Sequence, residues 1–120
     1  MAIIYHLTTA DDWEQGKAAG EYTTSTRGRT LAEQGFIHAS TPRQVAPVAN
    51  SFYKDVPGLQ VLVIDTDRLT APLQHDEVPG WDEPFPHIYG PLNPDAVVDV
   101  IPLHPGPDGE YSFTPPATGQ

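Results

Sequence analysis

Cysteine is absent from the 120 residues. That removes disulfide staples, thiolate nucleophiles and Cys-ligated metals. Positive charge is scarce: six Lys and Arg stand against sixteen Asp and Glu, for a formal net charge of −10. A surface of that sign disfavours general affinity for a nucleic-acid backbone or an anionic membrane. No apolar run approaches the roughly 20 residues needed to span a bilayer. The N-terminus has no basic region leading into a long apolar stretch, so no signal peptide is expected and the chain reads as cytoplasmic. Hydrophobic residues make up only 38% of the chain, whereas proline reaches 14. This length suits one domain that buries roughly two thirds of its unfolded surface. Pro102, Pro105, Pro107, Pro115 and Pro116 crowd the end. The domain is therefore placed at residues 1–103, and residues 104–120 read as a loosely ordered tail outside the core. There is no internal repeat.

The elements can be read from caps and periodicity. Residues 2–7 (Ala-Ile-Ile-Tyr-His-Leu) are mostly β-branched or aromatic and predict a first strand. Thr9 is an N-cap, Asp11 and Asp12 suit the positive end of a helix dipole, and Gly20 suits the stop. A helix follows over about Ala10 to Ala19, with Trp13 turned inward and Gly16 as its weak point. Thr30 with Glu33 matches a capping box, closed by Gly35. A strand over Phe36 to Ala39 comes next. Thr41-Pro42-Arg43-Gln44 combines an N-cap, Pro at the first helical position and Gln three residues after the cap. Val45, Val48, Ala49 and Phe52 then give one apolar helix face, although Pro47 should bend or loosen its first turns. Leu59 to Asp65 predicts a central strand buried on both faces. Leu73 to Glu77 predicts a short exposed strand, and Val78 to Pro84 a loop. Phe85 to Tyr89 predicts a strand whose Pro86 suits an edge or a strand start. Asn93-Pro94-Asp95 opens a turn, and Val97 to Leu103 is the last strand. Two or three helices come early and strands come late. That segregation predicts an α+β domain with a small mixed or antiparallel sheet.

Three histidines lie in apolar settings: His6, His38 and His87. His38 and Ser40 sit at a strand end just before a helix, where backbone donors converge and ligands are often met. Residues two apart on a strand share a face, so both could line one pocket. The three histidines show no H-x-x-x-H spacing, and no metal is assigned to them. Ser40 lies in no Gly-x-Ser-x-Gly elbow, and no third group of a hydrolytic triad is identified; capping the following helix explains Ser40 equally well. The pairs Asp76 with Glu77 and Asp82 with Glu83 could supply a general base or bind a ribose hydroxyl, or could be solvated surface. Arg27, Arg29 and Arg43 are three of the six positive charges. They flank His38 and form a local spot for a phosphorylated ligand, with solvated loop residues as the alternative. Among the aromatics, Tyr5 and Phe36 read as core and Tyr89 as the better ligand contact. No Gly-rich phosphate loop is present.

Three segments carry a resemblance: Ile-Tyr-His-Leu-Thr at the start, Gly-Phe-Ile-His-Ala-Ser-Thr with Gln-Val following, and Phe-Pro-His-Ile-Tyr-Gly-Pro-Leu. Together they resemble the small bacterial domain-of-unknown-function 952 family over about residues 2–103. That family is similar in fold to ADP-ribosyltransferases. The resemblance implies a nucleotide pocket that takes NAD as substrate, with His6 and His38 holding the ribose and diphosphate as the catalytic pair. Ser40, Arg27, Arg29, Arg43, His87 and Tyr89 would contact the ligand. The pattern is similar to the RNA 2′-phosphotransferase branch, but the chain is shorter and its charge argues against RNA. An acidic third position is assigned to Asp76 or Glu77. A non-catalytic module that binds a nucleotide or a protein is the alternative, and histidines that merely satisfy the core are a third.

Overall fold

A computed structural model describes residues 2–114. Each early element begins and ends where its local chemistry dictates. Strand β1 (Ile3–Thr9) runs directly into helix α1 (Ala10–Ala19). Thr9 accepts a hydrogen bond from the Asp12 N–H at its side chain, and Gly20 stops the helix at φ 81°, in the left-handed region where a Cβ is costly. Strands β2 (Thr24–Thr26) and β3 (Arg29–Thr30) form a small hairpin. Helix α2 (Leu31–Gln34) has the full capping box: Glu33 N–H donates to the Thr30 hydroxyl, and Thr30 N–H donates to the Glu33 carboxylate. Strand β4 (Ile37–His38) leads to helix α3 (Pro42–Phe52). Four strands follow: β5 (Leu59–Asp65), β6 (Leu73–Asp76), β7 (Phe85–Ile88) and β8 (Val97–Pro102). The helices are early, the strands late, and every described pairing is antiparallel.

Two three-stranded sheets carry the fold, in the orders β1-β5-β8 and β4-β7-β6. They meet at one backbone bridge. Tyr5 N–H donates to the Ser40 carbonyl at 2.9 Å, and Ser40 N–H donates to the Tyr5 carbonyl at 2.7 Å. β1 is therefore shared, with β5 along one edge and the chain after β4 on the other. Alternation along the strands then sorts the core. Tyr5, Leu7, Leu59, Val61 and Val63 face Val45, Val48 and Ala49 of α3. Ile4, Leu62 and Ile64 face Trp13, Tyr22, Ile37, Ile88 and Leu92. Because β5 is central, its apolar run is buried on both faces, and each such side chain contributes about 1.5–3 kcal/mol. Among the described residues no helix is long and apolar enough to cross a membrane.

Three expectations are corrected. Pro86 lies in the central strand of its sheet, not at an edge or a strand start. Its carbonyl accepts from Ala39 N–H at 3.0 Å, so its missing N–H falls on the same side. It faces Ala39, just past the end of named strand β4, so the proline forgoes only the reciprocal bond of that one pair. At the start of α3 the Gln44 side chain accepts from Thr41 N–H at 3.0 Å, as expected, but the Thr41 hydroxyl is buried with no partner among the described residues. The proposed tail also returns to the core at Tyr111 and Phe113, after an exposed stretch over residues 104–110. Tyr111 and Leu103 are buried, and Phe113 packs edge-on against Tyr5 with ring centroids 5.1 Å apart. Asn50 clasps the Tyr111 backbone twice, at 2.7 and 3.1 Å. Residues 115–120 lie outside the described part.

Tyr111→Ala should therefore cost about 3 kcal/mol, read from the urea midpoint. A loss below about 0.5 kcal/mol, the size of a surface change, would mean that this segment contributes nothing to the core.

Candidate functional site

His6 lies on the β1 face opposite α3 and is buried. Its Nδ1 lies 2.5 Å from the His38 carbonyl oxygen, and its Nε2 lies 2.7 Å from the Tyr22 hydroxyl. A carbonyl only accepts, so Nδ1 carries the proton. Burial pushes the imidazole pKa down to about 4, against the opposing pull of the His38 carbonyl, and the ring is neutral near pH 7. Its Nε2 is then a bare lone pair, to which the Tyr22 hydroxyl donates. That hydroxyl is also 2.7 Å from Thr8 Oγ1, and burial raises the phenol well above its ordinary range. Tyr22 is fixed in turn by backbone bonds to Leu92 at 2.8 and 2.9 Å. Gly16 leaves room for it: a Cβ there would fall 2.8 Å from Tyr22 Cδ2 and 2.9 Å from its Cβ. The glycine that weakens α1 is what lets Tyr22 reach His6.

The His38 ring faces a second set of partners. Its Nδ1 lies 3.1 Å from His87 Nε2 on the adjacent strand, where the two residues are register partners. His87 Nδ1 lies 2.8 Å from Asp76 Oδ2, and the Tyr89 hydroxyl donates to the same carboxylate oxygen. The bonds from Tyr89 and then His87 hold the Asp76 carboxyl below its usual range, so it is ionised and acts as an acceptor. His87 Nδ1 must therefore carry a proton. Burial, then the neighbouring His87 and His6, push His38 down to about 3. Phe36 stacks on His87 with centroids 4.0 Å apart and planes 14° apart, and Phe85 tilts against His38 at 4.8 Å.

Above these rings opens a cavity of about 610 Å³. Phe36, Phe52, Trp81 and Phe85 supply its aromatic walls, His38 and His87 its floor, and Arg27 and Arg29 a cationic side. Arg27 belongs to the β2–β3 turn, which the end of α3 anchors. The Arg27 guanidinium pairs with both Asp55 oxygens, at 2.6 and 2.9 Å, and with the Phe52 carbonyl at 2.9 Å. The Tyr53 hydroxyl meets Arg27 N–H and Thr26 Oγ1, each at 3.0 Å. Arg29 forms no ion pair among the described residues. No group of three His, Asp or Glu side chains among the described residues is arranged to hold a metal ion.

With that geometry in place, the chain can be compared with known proteins. The sequence profile of a family described as a protein of unknown function, DUF952, matches residues 7–100. This chain belongs to the DUF952 family. The crystal structure of protein CC0527 from Caulobacter crescentus is similar, with 26% identity over 92% of this chain and 94% of that one, and a TM-score of 0.79. The solution structure of CC0527 has 27% identity over 92% and 91% of the two chains and a TM-score of 0.74. No curated protein matches. The DUF952 span contains His38, Asp76 and His87, and His6 lies one residue before it.

Of the residues named from sequence, His38, His87, Arg27 and Arg29 line the cavity of this DUF952 chain. His6 does not. It is sealed beneath β4 and bonds the His38 backbone, not its ring. Ser40 is buried at the sheet junction, with its backbone bonded to Tyr5. Arg43 is carried by α3 into a separate groove, where it pairs with Glu83. Tyr89 does not line the cavity: it meets the site from behind, through Asp76 and through the Phe36 ring at 5.6 Å, and lines a different groove. Asp76 stands behind His87, whereas Glu77 makes no bond to the histidines among the described residues. Tyr22 was not legible as a site residue, because one tyrosine between Glu21 and Thr23 has no local signal. The sequence places Phe52 on the apolar face of α3 with Val45, Val48 and Ala49, but it stands exposed at the helix end and lines the cavity instead, and Trp81 lies in a loop with no periodicity to place it.

Tyr22→Phe leaves His6 Nε2 buried without a donor and should cost about 1–3 kcal/mol in urea unfolding. Acid should act through the two depressed histidines. Their folded pKa values, about 4 and about 3, lie below the ordinary histidine value of 6.5. Above pH 6.5 both states are neutral and the stability is fully present. As pH falls below 6.5 the unfolded chain takes up protons that the folded chain refuses, and stability is lost progressively towards pH 4 and then 3. The urea midpoint should drop from pH 7 to pH 5, and drop less in His38→Asn. An equal drop in both would show that His38 is not held neutral.

Proposed function

We propose that this protein binds a small anionic ligand bearing a planar ring, a nucleotide, in the cavity over His38 and His87. One observation carries the reading: aromatic faces, two imidazoles and a cationic side converge on a single cavity of about 610 Å³, in an otherwise acidic chain. Pockets of a few hundred to a thousand Å³ are the usual size for small-molecule sites. Phe36, Trp81 and Phe85 offer stacking surface for a base. Arg29 and the Asp55-paired Arg27 offer guanidinium donors to a phosphate. His38 presents its Nε2 to the ring or sugar. The formal net charge of −10 would repel such a ligand, and the two arginines offset that repulsion locally.

Transfer of ADP-ribose from NAD, on an ADP-ribosyltransferase-like fold, is the narrower version. It asks His6 and His38 to hold the sugar together and favours a carboxylate near an oxocarbenium-like centre. His6 is sealed from the cavity, and no Asp or Glu lines it among the described residues. Binding is therefore the reading best supported, with NAD as one candidate ligand among AMP and ADP-ribose.

The test is a titration with AMP, ADP-ribose and NAD, followed by tryptophan fluorescence and histidine ring NMR. Trp81 and His38 should respond, and the fluorescence change should vanish in Trp81→Phe, which leaves only the core residue Trp13. Arg29→Ala should weaken binding about tenfold. Silence at both reporters with millimolar ligand would remove the nucleotide reading.

A further inference from the structure

The chain Asp76–His87–His38 does more than the binding reading requires. A ligand could be held by the outer imidazole alone. Instead the two rings are joined at 3.1 Å, and the inner one is joined to a carboxylate at 2.8 Å. Asp76 accepts only, so His87 Nδ1 carries a proton. In the relay inferred below, His87 rests in its neutral form: its Nε2 is a lone pair, and His38 Nδ1–H donates to it. His38 Nε2 is then a bare lone pair. It bonds no other described residue and is the ring nitrogen left for the cavity that the ring lines.

We propose that His38 is a general base in the cavity and that Asp76 and His87 are positioning residues which hold its basic nitrogen towards an O–H group of the bound ligand. The inference rests on the nucleotide reading for its ligand class, a ribose hydroxyl or a phosphate monoester. The proton balance is closed within the chain. The O–H bond of the ligand breaks and a His38 Nε2–H bond forms. The proton on His38 Nδ1 passes to His87 Nε2. The charge comes to rest on His87 as an imidazolium against the Asp76 carboxylate, leaving His38 neutral with the opposite tautomer. Return of the proton reverses each step, and no co-reactant is needed.

This arrangement also assigns a reason to each neighbour. Burial and the adjacent ring make His38 a poor final holder of charge, and the Asp76 carboxylate, 2.8 Å from His87 Nδ1, stands where it would pair a proton passed inwards. Phe36, stacked on His87, and Phe85, against His38, fix the ring planes that alignment requires. The His6 Nδ1–H bond to the His38 carbonyl fixes the backbone beneath. His75, on the same strand as Asp76, is the other titratable group whose charge reaches that carboxylate.

The relay can be tested without ligand, which separates its failure from that of the nucleotide reading. Ring 15N shifts of the wild-type protein near pH 7 should show His38 protonated at Nδ1 and bare at Nε2. The opposite tautomer would overturn the proposal. Diethyl pyrocarbonate acylates an unprotonated, accessible imidazole nitrogen, and peptide mass spectrometry reads the rate at each histidine. His38 should react, with buried His6 as the unreactive control. The rate at His38 should fall at least about tenfold in Asp76→Asn and in His87→Gln, with far-ultraviolet circular dichroism unchanged. Equal rates in all three folded proteins would overturn the relay, even if nucleotide binds. A tautomer and rates as expected, with no nucleotide response, would leave the relay standing and remove the ligand class.

Discussion

The neutral ring of His6 holds together the three segments from which everything else is positioned. It sits on β1, donates to the backbone of β4 and accepts from Tyr22, which is itself tied to the chain ahead of β8. Neutrality is what makes it work. A protonated His6 would need a second acceptor at Nε2, and the Tyr22 hydroxyl would have to turn its proton away. Burial removes that option by disfavouring the charged form, so the deepest histidine behaves as a fixed two-ended connector. The backbone bridge between Tyr5 and Ser40 lies beside it, so the junction of the two sheets is held by main-chain and side-chain bonds at neighbouring positions.

From that junction the second sheet carries the chemistry outwards. β4 is only two residues long, and its register with β7 sets His38 against His87. β6, on the other edge of β7, brings Asp76 behind His87. The polar chain therefore crosses the sheet from strand to strand, from a half-exposed carboxylate to a cavity on the other side of the imidazoles. A shift by one residue in either pairing would turn the rings to opposite faces and break it. Pro86 holds this central position at the cost of one bond, because its carbonyl still accepts from Ala39 N–H and its missing N–H falls where named strand β4 has already ended.

Much of the fold was legible because its signals are local. Thr9 with Gly20, Thr30 with Glu33 and Gly35, and the apolar run of β5 each state their element within a few residues. His38 and His87 were legible as site residues for a similar reason, being polar side chains in short apolar strands. What escaped depended on distance. Tyr111 and Phe113 sit among prolines and glycines, and their partners Asn50, Tyr53 and Tyr5 are remote in sequence. Tyr22 matters through His6 and Gly16, neither of which is its neighbour in the chain. Arg43 is close to His38 in sequence, but the helix between them turns it towards Glu83. Nearness along the chain and nearness in space agree within an element and part company across the first cap.

The three histidines separate into two kinds by what each nitrogen can meet. His6 has both nitrogens used inside the protein, so it has nothing left with which to touch a ligand. His87 is likewise spent between Asp76 and His38. His38 and His87 both line the cavity, but of the three only His38 keeps a nitrogen without a partner among the described residues. The sequence pattern presents all three as equivalent polar residues in apolar strands. Counting donors and acceptors ranks them: a frame, a charge holder and a single working surface. That ranking accounts for three imidazoles, two of them buried, around one small cavity. An isolated His38 at the same place would be free to choose either tautomer and either ring flip. The His87 nitrogen at 3.1 Å restricts the ring, and the His6 bond to the His38 carbonyl restricts the backbone that carries it.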